Sequence, residues 1–277
     1  MVNNITYNGM EGVILMKPIR PLLLTGLITA VLSISACSSS PTGRQQVLLF
    51  STNDMSQLGA QSFEELKKQE KINTDVKTNQ YVQCVTNAIT ARLDPQSGFG
   101  QWEVVVFDSE QVNAFALPGG KIGVYTGLLE VAKNQDQLAT VIGHEIGHVI
   151  AQHSNERLSR SQIADIGLQI SSMAISGTEY HSAAMAALGL GVQYGVLMPY
   201  GRAQESESDI IGLRLMAEAG FDPNQSVELW KNMAKASGGQ PPELLSTHPS
   251  HSTRIDDLEK EISRLPAYNP PRQNCRL

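Results

Sequence analysis

The segment from Leu138 to His153, LATVIGHEIGHVIAQH, carries two histidines and a glutamate in an otherwise apolar run. His144 and His148 are four residues apart, so on a helix both imidazoles lie on one face and can bind the same metal ion. Neutral imidazole binds zinc at about 2.0 Å. Glu145 points away from such an ion and is placed to deprotonate a water bound to it. The pattern predicts a catalytic zinc site with Glu145 as the general base.

The alternative is that three polar residues happen to fall on one structural helix. Val141 and Ile142 precede the three polar residues and Ile146 lies between the histidines, so the helix is expected to be buried. Burying two imidazoles and a carboxylate is costly unless they are partnered. The apolar context therefore favours the metal site.

A catalytic zinc ion usually has three protein ligands, so one more ligand must lie elsewhere in the chain. Residues 200–223, YGRAQESESDIIGLRLMAEAGFDP, predict a second helix on which Glu205 and Asp209 share a face and Glu207 points away from both. Glu205 is the candidate third ligand, and Asp209 is a candidate to hydrogen-bond a ligand histidine and fix its tautomer. Spacing alone is only moderately specific here, because exposed acidic helices are common.

The elements that must position these side chains predict one α+β domain, mainly α-helical, with a small β-sheet. The segment QWEVVVFDS, Gln101 to Ser109, predicts a strand, and Asn113 to Leu129 predicts a strand, a Pro-Gly-Gly turn, a second strand and the start of a helix. Apolar residues at helical spacing predict further helices over Ser51–Glu70, Thr74–Leu93, Asp136–His153, Glu156–Ile175, Arg202–Ala219, Pro223–Ala236 and Ser250–Leu265.

The apolar, glycine-rich segment Ala183 to Met198 is shorter than the roughly 20 residues that span a bilayer. It predicts a buried helix or a mobile lid near a cleft, with membrane contact as the alternative. His153, His181 and His251 are interpreted as structural or exposed histidines.

Residues 1–36 are interpreted as a bacterial secretory signal outside the fold, with Met16 as an alternative natural start. Lys17 and Arg20 precede the apolar run Leu22–Ile34, and the segment ends in small residues before Cys37. A cysteine at that position is typical of the lipobox of bacterial lipoproteins, which predicts lipidation of Cys37. Ser38, rather than an aspartate, follows it, which by the lipoprotein sorting rule predicts an outer-membrane anchor facing the periplasm. The alternative is an ordinary signal peptide with an incidental cysteine. Residues 37–50 are predicted to form the tether and 51–277 the single folded domain.

Composition limits the partners and the redox state. The 277 residues carry a net charge of −6 without long runs of like charge, which does not favour nucleic acid. Two cysteines remain after Cys37. In an oxidising periplasm Cys84 and Cys275 are predicted to form a disulfide that ties the C-terminal tail to an early helix, with two buried thiols as the alternative.

Together these motifs resemble peptidase family M48. The matching segments are the His144-Glu145-x-x-His148 helix, Glu205-x-x-x-Asp209 with Gly212, AGFDP at Ala219–Pro223, NAFALPGG at Asn113–Gly120 and STHPSHSTR at Ser246–Arg254. Ser208 departs from the alanine usual in the family and is small enough to be tolerated.

The resemblance implies a zincin-like fold that binds one Zn²⁺ per chain through His144, His148 and Glu205. It implies that His248 either caps the zinc in a resting state or stabilises the oxyanion, with Arg254 in the same pocket as a substrate-binding residue. It also implies an edge strand beside the cleft that binds extended protein or peptide substrates, formed by Asn113, Ala114, Phe115 and Ala116.

The predicted function is therefore a zinc endopeptidase that cleaves unfolded or misassembled envelope proteins. One alternative is an outer-membrane protein assembly factor or chaperone, with low or regulated proteolysis and other envelope assembly or quality-control proteins as partners. Another is a structural lipoprotein whose metal only holds the fold.

Overall fold

The computed structural model describes residues 37–94, 101–193, 198–236, 254–267 and 270–277. His248 and residues 1–36, the predicted signal segment, lie outside these residues. The helices of the described chain are α1 Thr52–Gln69, α2 Val76–Thr90, α3 Thr126–Val131, α4 Gln135–Ile150, α5 His153–Ala174, α6 His181–Val192, α7 Met198–Glu218, α8 Gln225–Ala236 and α9 Arg254–Arg264. The strands are β1 Cys37–Ser39, β2 Gln45–Val47, β3 Glu103–Phe107, β4 Ala114–Leu117 and β5 Lys121–Tyr125. The mainly helical α+β class is confirmed.

Local sequence explains where the first two helices begin. Ser51 caps α1 by accepting a hydrogen bond from the backbone N–H of Asp54, and the Asp54 carboxylate accepts in return from the backbone of Ser51. Asp75 caps α2 through the N–H of Thr78. These caps provide acceptors for N–H groups that lack a partner within the helix.

The main sheet has the order β3-β5-β4, so β4 is an edge strand. β3 pairs with β5 in parallel, and β4 pairs with β5 in antiparallel register, Phe115 opposite Gly123. Gly119 and Gly120 make the β4–β5 turn at φ of 84° and 73°, a backbone region that favours glycine. A Cβ at Gly123 would come within 2.2 Å of the Phe115 ring, so glycine is what lets that ring cross the sheet.

Helix α4 lies at the centre of the core, where it packs on β4 and on α2, α7 and α8. Its closest neighbour is α7, and glycines line the contact. A Cβ built at Gly212 would lie 2.6 Å from the carbonyl carbon of Gly143, and one at Gly147 would lie 3.0 Å from the backbone oxygen of Ser208. The missing side chains let the two backbones approach closely, which brings the acidic residues of α7 to the histidines of α4.

The segment predicted as a tether, residues 37–50, is instead largely built into the domain. β1 and β2 pair as a hairpin. Arg44 in its turn forms ion pairs with Glu156 and Glu207, and the backbone N–H of Leu49 donates to Ser159 Oγ at 2.8 Å. Polar groups that find buried partners in the helices hold this stretch in place, a long-range effect that its composition does not reveal.

The prediction of a buried helix in Ala183–Met198 is wrong for the described part of that range. Helix α6 has no buried residue, and Leu190 is 58% exposed. It packs on α5, whose Ile163, Ile166 and Ile170 are also exposed. No helix in the described part of the chain is both long and apolar enough to cross a membrane.

Cys84 on α2 and Cys275 in the C-terminal tail form a disulfide in the structure, with their Cα atoms 5.8 Å apart. The tail is also held by polar contacts: the N–H of Cys275 donates to Gln135 Oε1 at 2.7 Å, and Arg272 pairs with Asp136 at 2.8 Å. The C-terminal residues therefore cover the N-terminal end of α4, the helix that carries the histidine pair.

Candidate metal centre

His144, His148 and Glu205 meet in one buried cluster. The Nε2 atoms of the two histidines are 3.1 Å apart. One carboxylate oxygen of Glu205 lies 3.3 Å from Nε2 of His144, and the other lies 3.4 Å from Nε2 of His148. All three side chains are buried. Among the described residues, these three form the group of histidine and carboxylate side chains whose ligand atoms could hold a metal ion.

The spacing of these atoms fits zinc. Two ligand atoms about 2.0–2.1 Å from a tetrahedral ion lie about 3.3 Å from each other, close to the separations observed here. Two imidazoles and one carboxylate are also a ligand set that zinc enzymes use while keeping one position open for water. The residues present therefore fit the metal that the sequence predicts.

Glu145 follows the first histidine on α4 and is buried, 3% exposed. Gly143 and Gly147, two residues before and two residues after Glu145, lie close to the backbone of α7. A buried carboxylate one residue after a metal ligand is suited to act on a water molecule at the metal.

Asp209 supports His144 directly. Its Oδ1 accepts from His144 Nδ1 at 2.9 Å and from Arg254 Nη2 at 2.5 Å. Burial alone would raise the pKa of Asp209, but the Arg254 charge and the His144 hydrogen bond outweigh it and lower that pKa. An ionised Asp209 holds the Nδ1 proton of His144 in place, which leaves Nε2 for a metal.

For Arg254 the structure differs from the predicted substrate-binding role. Its guanidinium is buried, engages Asp209, and stacks over the Trp230 ring at 3.8 Å. A buried guanidinium needs a charged partner, and here the partners are Asp209 at 2.5 Å, which also hydrogen-bonds His144, and Glu205 at 3.8 Å.

The neighbouring carboxylates change the pKa of the His144 imidazole. Burial alone would lower the pKa of His144, but hydrogen bonds to Asp209 and Glu205 outweigh burial and raise it to about 9. Asp209 and Glu205 therefore favour positive charge at His144, whether it is a proton on the ring or a metal cation held between the candidate ligands.

His153 and Glu207 belong to the site, although the sequence interpretation made His153 structural or exposed and gave Glu207 no role. His153 is fully buried and its Nδ1 lies 2.8 Å from Nδ1 of His148. Its Nε2 lies 3.1 Å from Glu207 Oε2. Burial, the largest influence, lowers the pKa of His153 despite this carboxylate. The available signal was Glu207 on the other face of the acidic helix, but nothing local indicated its partner.

The predicted substrate strand, β4, packs against α4. Ala114 and Ala116 are buried against the core, and Phe115 stacks on Phe107. Asn113 precedes the strand, and its C=O accepts from the N–H of Tyr125 at 3.1 Å. The side chains are therefore committed to packing, and backbone groups are what the strand can offer to a peptide.

The hydrogen-bond alternation of an antiparallel pair shows which backbone groups face outward. Asn113 bonds to Tyr125, so Phe115 and Leu117 also face β5, and the N–H and C=O groups of Ala114 and Ala116 point to the open edge. A small cavity lined by His148, Pro118 and Gly119 connects the end of this strand with the ligand helix.

The model of peptidase family M48 matches residues 76–262 of the chain. This range includes the histidine pair, Glu205, Asp209 and the edge strand.

Curated relatives include mitochondrial and bacterial proteases. The mitochondrial metalloendopeptidase OMA1 of Schizosaccharomyces pombe is 38% identical over 164 residues, covering 58% of this chain and 46% of that protein. The mitochondrial metalloendopeptidase OMA1 of Bos taurus is 32% identical over 253 residues, covering 86% of this chain and 48% of that protein. A beta-barrel assembly-enhancing protease of Yersinia pestis is 26% identical over 195 residues, covering 67% and 39%. The chain thus spans about half the length of these relatives, or less.

Proposed function

The chain belongs to peptidase family M48, and we propose that it is a zinc-dependent endopeptidase of the bacterial cell envelope. The observation that carries the proposal is the convergence of His144, His148 and Glu205 at separations of 3.1 to 3.4 Å, the spacing of three ligands around one zinc ion.

The chain's own groups divide the chemistry among them. His144, His148 and Glu205 would hold the zinc, which would supply a Lewis acid that lowers the pKa of water to about 7. Glu145 takes a proton from the attacking water and passes it to the nitrogen of the departing amine, so its carboxylate is restored at the end of the cycle. Asp209 keeps the Nδ1 proton on His144 throughout. His248, outside the described residues, is proposed as the group that caps the metal at rest or steadies the oxyanion.

The substrates are proposed to be extended segments of unfolded or misassembled envelope proteins. Support comes from β4, whose open edge offers the backbone groups of Ala114 and Ala116 next to the ligand helix. An extended peptide that pairs with such an edge is oriented through its own backbone, without selection for one side chain. Folded proteins keep their backbone groups paired and are poor ligands for this edge.

The proposed location is the periplasmic face of the outer membrane, with lipid on Cys37 as the anchor. The sequence supports this through the positive residues, the apolar run and the small residues that precede that cysteine. Bacterial relatives with names that refer to beta-barrel assembly are consistent with an envelope enzyme. The overall pattern resembles the outer-membrane lipoprotein peptidases of the family.

The decisive experiment compares the purified full chain with its Glu145→Gln variant on unfolded casein, with the zinc content of each measured. We expect the variant to bind one zinc per chain and to lose at least about 100-fold in cleavage rate, because a positioned general base contributes about that much. Glu179→Gln is the matched control, since Glu179 is exposed in the turn between α5 and α6. A Glu145→Gln variant that cleaves at the parent rate would refute the mechanism.

A second candidate is an outer-membrane protein assembly factor with low proteolysis, favoured by the name of the Yersinia pestis relative, a beta-barrel assembly-enhancing protease. This role predicts that Glu145→Gln still supports outer-membrane protein assembly in cells, while His144→Ala, which removes a ligand, does not. If Glu145→Gln neither cleaves casein in vitro nor supports outer-membrane protein assembly in cells, the cellular role depends on proteolysis.

A further inference from the structure

The turn of the N-terminal hairpin, residues 40–44, contacts the buried carboxylate of Glu207 on α7. Thr42 Oγ1 donates to Glu207 Oε1 at 2.6 Å, and Arg44 Nε donates to Glu207 Oε2 at 3.0 Å. Glu207 is only 3% exposed. A carboxylate removed from water in this way needs such donors, and both come from a segment more than 160 residues away in the chain.

Glu207 is the end of a hydrogen-bonded path to a metal ligand. Its Oε2 lies 3.1 Å from Nε2 of His153, and Nδ1 of His153 lies 2.8 Å from Nδ1 of His148. If His148 uses Nε2 for a metal, its proton is on Nδ1 and is donated to Nδ1 of His153. The proton of His153 is then on Nε2 and is donated to Glu207. The carboxylate of Glu207 can only accept, and this sets the direction of donation along the path. Arg157 Nη2, which lies 3.2 Å from Nδ1 of His148, can only donate, so this contact competes with the metal-binding tautomer that the path favours.

The two ligand histidines are therefore oriented by the same helix in two different ways. Asp209 of α7 accepts directly from His144 at 2.9 Å. Glu207 of α7 acts on His148 through the intervening imidazole of His153. In metalloproteins such partners fix the ring and raise its basicity, and losing one weakens metal binding about 10- to 100-fold.

We propose that Thr42, Arg44, Glu207 and His153 are positioning residues that form a relay holding His148 in its metal-binding orientation and tautomer. The inference rests on the proposed metal site. It assigns to the N-terminal hairpin a part in metal affinity, so that the residues following the predicted anchor cysteine also complete the support of the metal centre.

Zinc affinity of the full chain, measured by competition with a chromogenic chelator, tests the relay without requiring activity. We expect His153→Leu to weaken zinc binding about 10- to 100-fold. His153→Asn retains an acceptor oxygen near His148 and should recover part of that loss. Thr42→Val keeps the side-chain shape but removes one donor to Glu207, and should weaken binding in the same direction by a smaller factor.

Arg160→Met is the matched control, because Arg160 pairs with Glu156 at 2.8 Å rather than with Glu207. It should lower the melting temperature while leaving the zinc affinity and the visible spectrum of the cobalt-substituted protein unchanged. The relay variants should shift that spectrum, which reports ligand geometry. The relay is refuted if Thr42→Val and His153→Leu are folded and match the parent in both readouts. A parent chain that binds no zinc would refute the metal site itself and the relay with it.

Discussion

The contact between α4 and α7 depends on the absence of a side chain at Gly212, so Gly212→Ala tests how the metal centre is assembled. The added Cβ would lie 2.6 Å from the carbonyl carbon of Gly143 and from the backbone nitrogen of His144. Non-bonded carbon atoms pack best at about 3.5–4.0 Å. The atoms it meets belong to the backbone of a buried helix, so relief requires the two helices to separate locally by about 1 Å.

That displacement is large compared with the tolerance of a metal site, where ligand distances are held to about 0.2 Å. Glu205 is carried by α7, two turns before Gly212, and the histidines are carried by α4. Overpacking costs about 1–3 kcal/mol, while replacing a helical glycine by alanine returns about 0.5–1 kcal/mol. We expect a net destabilisation of about 1–2 kcal/mol, and a loss of zinc affinity of at least about 10-fold.

Gly167→Ala supplies the matched control, because Gly167 lies within α5 and a Cβ there meets no atom within 4 Å. That variant should gain about 0.5–1 kcal/mol in stability and bind zinc as the parent does. Urea unfolding gives the stability of each variant, and chelator competition gives its zinc affinity. If Gly212→Ala is as stable as Gly167→Ala and binds zinc equally well, the close helix contact does not set the ligand geometry.

Two further predictions concern acid stability and substrate binding. Burial opposes ionisation of Glu156, but Arg44, Gln204 and Arg160 outweigh it and lower the pKa to about 2 from an ordinary 4.5. This ionised carboxylate thus contributes about 3 kcal/mol that is fully present above pH 4.5 and lost as the pH falls to 2. Glu156→Gln should be less stable than the parent at pH 7, and the gap should close on acidification in urea unfolding at several pH values; a constant gap contradicts the assignment. Ala116→Pro removes an N–H that faces the open edge of β4, so KM for an unfolded substrate should rise about 2- to 10-fold with zinc content unchanged. An unchanged KM would exclude pairing at this edge.

The two halves of the candidate ligand set could be predicted because helix geometry makes each of them a local property, whereas their meeting was expected from the family resemblance. His144 with His148, and Glu205 with Asp209, are spaced four residues apart, and the helix alone fixes which face each pair shares. The strand β4 was also predictable, since a Pro-Gly-Gly turn separates two short β-rich segments, but its position at the edge of the sheet was expected only from the family resemblance. The observed boundaries of the predicted helices and strands lie within a few residues of those expected, because these boundaries also depend on local sequence.

What the sequence did not reveal depends on contacts between distant residues. Thr42 and Arg44 are ordinary polar residues near an N-terminus until Glu207 is placed beside them. The family resemblance predicted that Arg254 binds substrate. Its guanidinium instead pairs with Asp209 and stacks on Trp230, so it supports the carboxylate that hydrogen-bonds His144. The exposure of α6 was missed because its composition is that of a core helix, and only the packing of its neighbours decides which side is covered.

The face of α7 explains why one helix can supply both a ligand and the support of both histidines. Ser208 and Gly212 are one turn apart and lie against Gly147 and Gly143 of α4, so a stripe of small residues sets the line of contact. Glu205 and Asp209 project on one side of that line, and Glu207 projects on the other, where His153 lies. Carboxylates therefore reach the histidine pair from both sides only if the stripe stays narrow. Serine at 208 meets this requirement, because it is fully buried and its hydroxyl lies 3.4 Å from His153 Nδ1. A larger residue there would separate the helices and move all three carboxylates at once.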